Sequence, residues 1–183
     1  MSEATVSPIL ATASVLVVFV AVALIAAVDV PGAYALRQAV RRHTQHASLA
    51  IAGVAVAASL YYSESVGFIP CEFCWYQRIA IYPLAALLLV GVVTRTQLAT
   101  RYIVTMAGIG LLLAIYHYQL QLFPEQGTVC TGGVPCTLRY VEEFGFISIP
   151  FMAGAGFLSI LLLQVAQWRA NRLNDQWDDE ADA

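Results

Sequence analysis

Cys71-Glu72-Phe73-Cys74-Trp75-Tyr76-Gln77-Arg78 decides how this chain is read. Two cysteines at i and i+3 can close a disulfide and reopen it with little backbone movement, so redox-active pairs often take this spacing. The pair lies between an apolar stretch ending near Phe68 and another beginning near Ile79. The sulfurs are therefore expected at a membrane–water boundary, on the first turn of a hydrophobic helix. Pro70 stands just before them, and proline is favoured at helix starts. A thiol at a helix N-terminus ionises more readily, because the unpaired backbone N–H groups favour an anion.

The flanking composition sets the environment. Of 183 residues, 60% are hydrophobic and only 11% charged, and mean hydropathy is +0.72. A soluble domain carries about a quarter charged residues, so a free-standing soluble domain is excluded. A spanning helix needs about 20 mostly apolar residues. Five stretches qualify, at about 8–28, 47–68, 75–93, 102–123 and 148–168, with Trp75 and Tyr76 lengthening the third at the interfacial depth these rings favour. The connections are expected at 29–46, 69–74, 94–101 and 124–147. Tyr140-Val141-Glu142-Glu143-Phe144 mixes apolar and acidic residues, and a short helix on the membrane surface is expected there. The acidic segment after Arg172 is expected to be disordered. The fold expected is all-α: a polytopic membrane four-helix bundle (47–168) with one additional N-terminal transmembrane helix. That helix and a basic cytoplasmic connection make up 1–46, and an acidic cytoplasmic tail makes up 169–183.

Arginine placement predicts orientation. All nine basic residues are arginine, and the net charge is −3, so nothing points to nucleic acid. Arg37, Arg41, Arg42, Arg95, Arg101, Arg169 and Arg172 fall on one side if all five segments span, leaving Arg78 and Arg139 on the other. The positive-inside rule puts the seven in the cytoplasm. Both cysteine pairs then face the oxidising side, where disulfides persist. Ala33-Tyr34-Ala35 resembles a signal-peptide cleavage site. However, the apolar run before it is preceded by Glu3 and no basic residue, and it exceeds the roughly 7–15 residues of a signal core. A retained span with the N-terminus outside is expected.

The remaining candidate residues lie near the same outer boundary. Cys130 and Cys136 bracket Thr131-Gly132-Gly133-Val134-Pro135, a turn-forming stretch that can bring the sulfurs together. On the residues alone this pair reads either as a static staple or as a second redox pair. All four cysteines together could also satisfy tetrahedral zinc, although Cys-x5-Cys is an unusual zinc half-site. Arg78 follows Cys74 at i+4 and shares its helix face, so it reads either as an anion-stabilising group or as a side chain snorkelling to the headgroups. His117 and Gln121 sit near the outer end of the fourth stretch, at a depth where polar groups are costly enough to suggest function.

Taken together, these residues resemble a known family. Cys71-x-x-Cys74-x-Tyr76-x-Arg78 at the start of a span is similar to the quinone-linked disulfide bond formation protein B family (DsbB). The order also fits, with a second external cysteine pair one helical hairpin later. His117-x3-Gln121-Leu122-Phe123-Pro124 resembles that family's approach to its loop cysteine. Gly133-Val134-Pro135-Cys136-Thr137 through Gly145-Phe146-Ile147-Ser148-Ile149-Pro150 resembles its short-loop BdbC branch. Vitamin K epoxide reductase-like proteins place their loop cysteines before the Cys-x-x-Cys, the opposite order. The resemblance covers about 47–168, and the first helix is an addition to the family's four-span core.

The resemblance implies a mechanism. A reduced DsbA-like thioredoxin-fold partner attacks Cys130, and the released Cys136 attacks Cys71. Cys74 is left as a thiolate facing a membrane quinone, menaquinone or ubiquinone. Arg78, His117 and Gln121 are the residues expected at the quinone, and no resident metal is expected. The competing class is a non-catalytic membrane scaffold, or a zinc-stabilised assembly factor with structural cysteines.

Overall fold

The computed structural model describes residues 3–130 and 133–181. Gly132 and Asp182, to which the sequence reading extends, lie outside the described residues. Five helices carry the fold: α1 Glu3–Val28, α2 Tyr34–Leu60, α3 Glu72–Val93, α4 Thr100–Leu122 and α5 Ile149–Ala181. Each is long and apolar enough to cross a membrane. Among the described residues there is no strand, only an isolated antiparallel bridge between Glu143 and Ile147. The expected all-α, five-span membrane architecture is what the chain adopts.

Helices α2, α3, α4 and α5 form a four-helix bundle, each packed on the next and α5 returning to α2. α1 stands outside this ring, packed along α5 and only lightly against α2. The bundle core is built from Ala52, Ala80, Leu84, Leu88, Ala107 and Phe157. Its many small residues follow from the solvent. Lipid tails are as apolar as leucine, so membrane helices associate through close packing, which small side chains permit. Gly110 is the closest such approach: a Cβ there would lie 2.3 Å from the Phe157 ring. Gly110→Ala should therefore force Phe157 to move and cost about 1–3 kcal/mol, as overpacked cores do. A lowered thermal unfolding midpoint of the purified protein would register this, and an unchanged midpoint would contradict it.

Three boundaries differ from expectation. The first connection is short, because α2 begins at Tyr34 and not near residue 47. Arg37, Val40, Thr44, Ser48 and Ala52 recur at helical spacing and are all buried, so a stripe too polar to read as a span still packs as a helix. Arg37 is buried because its guanidinium donates to the carbonyls of Val28 (3.0 Å) and Val30 (3.2 Å). This caps the C-terminal end of α1, where helix carbonyls lack intrahelical partners. About two turns further along α2, Gln45 ties down the connection between α3 and α4, donating to the Thr96 carbonyl and accepting from the Leu98 N–H.

The second correction concerns the acidic tail, which is helical as far as Ala181. Ala166, Ala170 and Leu173 continue the apolar face of α5 and pack with Val28 and Val40, and Arg169 pairs with Asp29. The apolar face of α5 thus continues to Leu173, past the point where the span was expected to end. The third concerns Tyr140–Phe144, where no surface helix forms. Phe144 and Gly145 take left-handed φ values of 53° and 78°, closing a tight turn between Glu143 and Ile147 of the kind that joins antiparallel segments.

Candidate active site

The site lies at the end of the bundle away from the arginine-rich connections. Cys71 is the residue that caps α3, with extended backbone (φ −72°, ψ 174°), and Cys74 lies within the first turn. This places Cys71 just outside the span and Cys74 just inside it. The two are free thiols with Sγ atoms 3.2 Å apart, farther than the roughly 2.0 Å of a bonded pair and close enough to share a proton. Cys130 and Cys136 are joined in a disulfide with Cα atoms 6.1 Å apart. Cys71, Phe73, Leu120 and Cys136 form one buried cluster, with Cys74, Cys130 and Val134 packed against it. The fold therefore gathers two pairs that are 56 residues or more apart in the chain.

His117 reaches this cluster from α4. Its Nε2 lies 3.5 Å from Cys71 Sγ, and its Nδ1 lies 3.5 Å from Gln77 Nε2. The ring is 2% exposed and packs against Phe73. The Cys71 thiol is pushed well below the usual thiol range, first by the hydrogen bond from Cys74 and also by His117, against the opposing effect of burial. A depressed thiol pKa keeps the folded reduced protein in its thiolate form at neutral pH, while the unfolded chain holds a thiol up to about 8.5. The resulting stabilisation of the reduced fold is complete above that value and is lost as pH falls through the lowered one. Thiolate absorbance of the protein with only this pair reduced should titrate with a midpoint at least one unit below about 8.5, within the range of activated Cys-x-x-Cys pairs. His117→Ala should raise the midpoint. An ordinary midpoint in the parental protein would remove the argument.

Cys71, Cys74 and His117 bring their ligand atoms within 4.8 Å of one another. Such a trio can hold a thiophilic ion, with a fourth ligand needed for tetrahedral zinc. The four-thiolate arrangement does not form, because Cys130 and Cys136 are bonded to each other.

The other face of the Cys-x-x-Cys opens on a cavity of about 370 Å³ between α1, α2, α3 and α5. Its walls are mainly apolar, with Cys74, Gln77 and Arg78 among the lining residues. Cys74 is the one cysteine in that wall. Arg78 does not extend freely along the helix toward Cys74. Its Nε donates to Ser59 Oγ (2.9 Å) and one Nη to the Ser59 carbonyl (3.1 Å), while its guanidinium stacks on Trp75. Ser59 and Gln77 are thus site residues that the motif did not reveal. A serine near the end of an apolar helix was the available signal for Ser59.

Neither His117 nor Gln121 belongs to the cavity wall. His117 faces Cys71 as described. Gln121 is buried beneath the loop, donating to the Leu138 carbonyl at 3.1 Å, while Arg139 donates to the Gln121 carbonyl at 2.8 Å and pairs with Glu142. Tyr140 ties the loop to the start of α3 through the Ile69 carbonyl.

Comparison with known proteins gives this geometry a family. Residues 41–169 match the family described as disulfide bond formation protein DsbB. The chain belongs to the DsbB family. It is a multi-pass membrane protein of disulfide bond formation, with the Cys-x-x-Cys and loop disulfide of a disulfide oxidoreductase. It is 48% identical over 115 residues to a probable disulfide formation protein of Oceanobacillus iheyensis, covering 61% of this chain and 79% of that one. It is 42% identical over 119 residues to disulfide bond formation protein C of Bacillus subtilis, covering 64% of this chain and 86% of that one. No solved structure matches. The DsbB match begins inside α2, so α1 lies outside it.

Proposed function

We propose that this DsbB-family protein reoxidises an extracytoplasmic, DsbA-like thioredoxin-fold dithiol oxidase and passes the electrons to a membrane quinone, menaquinone or ubiquinone. The observation that carries the reading is the split placement of the Cys-x-x-Cys. Cys71 packs with the loop disulfide in a buried cluster, whereas Cys74 lines the membrane cavity. One pair thus borders both an incoming dithiol's route and an apolar compartment.

Exchange proceeds by attack of a thiolate on a disulfide sulfur. Cys130 is half-buried and Cys136 is 1% exposed, so an incoming thiolate meets Cys130. The Cys130–Cys136 bond breaks as a partner–Cys130 disulfide forms; the partner's second thiolate then displaces Cys130, so that the partner leaves oxidised. The Cys136 thiolate attacks Cys71, displacing Cys74, and Cys130 then attacks Cys136 and displaces Cys71, which re-forms the loop disulfide. The pair Cys71–Cys74 then carries the two electrons as dithiol. His117, against Cys71, favours Cys71 as the thiolate that leaves when the loop disulfide re-forms. The cavity fits a quinone: its volume lies in the roughly 300–1,000 Å³ range of small-molecule sites, its walls suit a prenyl tail, and a guanidinium and a sulfur stand where a polar ring would enter. A bound quinone supplies a two-electron, two-proton acceptor. Arg78, held by Ser59, contributes a fixed positive charge beside Cys74.

The orientation proposed places the cysteines outside the cytoplasm. Seven arginines lie toward one end of the bundle and two toward the other, as the positive-inside rule describes. Purified protein given reduced thioredoxin-fold thiol oxidase should convert quinone to quinol, one per dithiol oxidised. In intact cells, a membrane-impermeant reagent should label Cys130 once the loop disulfide is reduced. Absence of quinol with an active partner would defeat the acceptor assignment, and protection of Cys130 until lysis would defeat the orientation.

A further inference from the structure

We infer that α1, the helix outside the DsbB-family match, is the wall that receives the polyprenyl tail of the quinone and so sets the protein's preference for tail length. This inference rests on the quinone reading above. Three faces of α1 have different surroundings. Ala11, Ala21 and Val28 are buried, on a helix that packs mainly along α5. Leu16, Phe19 and Val20 are more than half exposed, as residues facing lipid would be. Leu10, Ala13, Ser14 and Val17 form a third stripe, at helical spacing, that lines the cavity holding Cys74 and Arg78.

The way α1 is mounted explains the gap. It packs along α5 and touches α2 only lightly. Near the cysteine end it is braced to the π-helical turn Tyr61–Ser65 that continues α2, by a hydrogen bond between the hydroxyls of Ser7 and Tyr62, 3.0 Å apart and both nearly inaccessible. Tyr62 stacks on Phe68, which stacks on Tyr140, so the brace continues into the loop that follows the disulfide. Below it α1 and α2 make few contacts, and Ala13 and Val17 of α1 line the same space as Ala50 and Val54 of α2. Without α1 this would be a groove open to lipid on the surface of α2 and α5. With it, the polar end at Arg78 leads into an apolar cleft that has α1 as a second wall and stays partly open, Val54 being 57% exposed. A flexible prenyl chain matches that lining, and its attachment to the ring places it there once the ring meets Cys74.

The test uses the full-length protein in lipid nanodiscs and a quinone carrying a photoreactive diazirine at the end of a short prenyl tail. Irradiation should attach it within residues 10–17 of α1, and unmodified prenylated quinone should compete the adduct away. Ala13→Trp should narrow the space, so that the KM for a prenylated quinone rises about tenfold relative to that for its tailless analogue. Leu16→Trp, on the lipid-facing stripe, should leave that ratio within about twofold. An adduct confined to other helices, or an unchanged ratio in Ala13→Trp, would overturn the inference while leaving the quinone reading intact. An adduct that only phospholipid displaces would also overturn it, assigning the space to an acyl chain. Failure of the parental protein to reduce even the tailless quinone would instead remove the underlying reading.

Discussion

Cys136→Ala is expected to abolish turnover and to accumulate a disulfide between Cys130 and the soluble partner. Cys136 is buried against Cys71 whereas Cys130 is half-buried, so the two loop sulfurs are not equivalent. With Cys136 gone, the Cys130 thiolate can attack the oxidised partner's disulfide, and no neighbouring loop thiol remains to resolve the product. The loss should be on the order of a thousandfold or more, as when a covalent nucleophile is removed. Non-reducing electrophoresis of the variant with its partner, followed by peptide mapping, reads the bond directly. The reverse change, Cys130→Ala, should show little such adduct, because Cys136 is covered. Trapping solely at Cys71 would mean that the partner bypasses the loop pair.

Arg78→Met is expected to raise the KM for quinone, or slow its reduction, by tenfold or more, which corresponds to about 1.4 kcal/mol of lost stabilisation. Methionine keeps an apolar stem and removes the charge. Exchange between the partner and Cys130 should continue, because that step occurs in the loop. Arg78→Lys should recover only part of the activity: an ammonium keeps the charge but cannot reproduce both the fork on Ser59 and the stacking on Trp75. Ser59→Ala should give a smaller defect in the same direction, since the backbone carbonyl contact survives. Stopped-flow measurement of quinone reduction across quinone concentrations separates binding from rate. Parental kinetics in a normally expressed Arg78→Met would make Arg78 a snorkelling residue.

The spans and the Cys-x-x-Cys were legible because each depends on short-range pattern. About 20 consecutive apolar residues can satisfy their backbone in a bilayer only as a helix, and i, i+3 cysteines meet whatever the rest of the chain does. Element ends were less legible. The start of α2 is polar, with Arg37, Thr44 and Gln45 buried, and its partners are α5, the end of α1 and the α3–α4 turn, which composition does not display. The start of the segment after Arg172 was misread for the same reason: Leu173 has apolar partners only once Val28 and Val40 are nearby.

By itself the sequence determined the membrane class, the five helices, the redox spacing and the family. These follow from runs and motifs within about 20 residues, the length over which a bilayer constrains a helix. Only the tertiary structure decided which residues meet. It brought His117 to Cys71 from 46 positions away, set Ser59 against Arg78 from 19, placed Gln121 under the loop, and made α1 a wall of the Cys74 cavity. Such contacts depend on how helices rotate and pack against one another. That packing is set by side-chain shape across the whole bundle, and no local stretch of sequence encodes it.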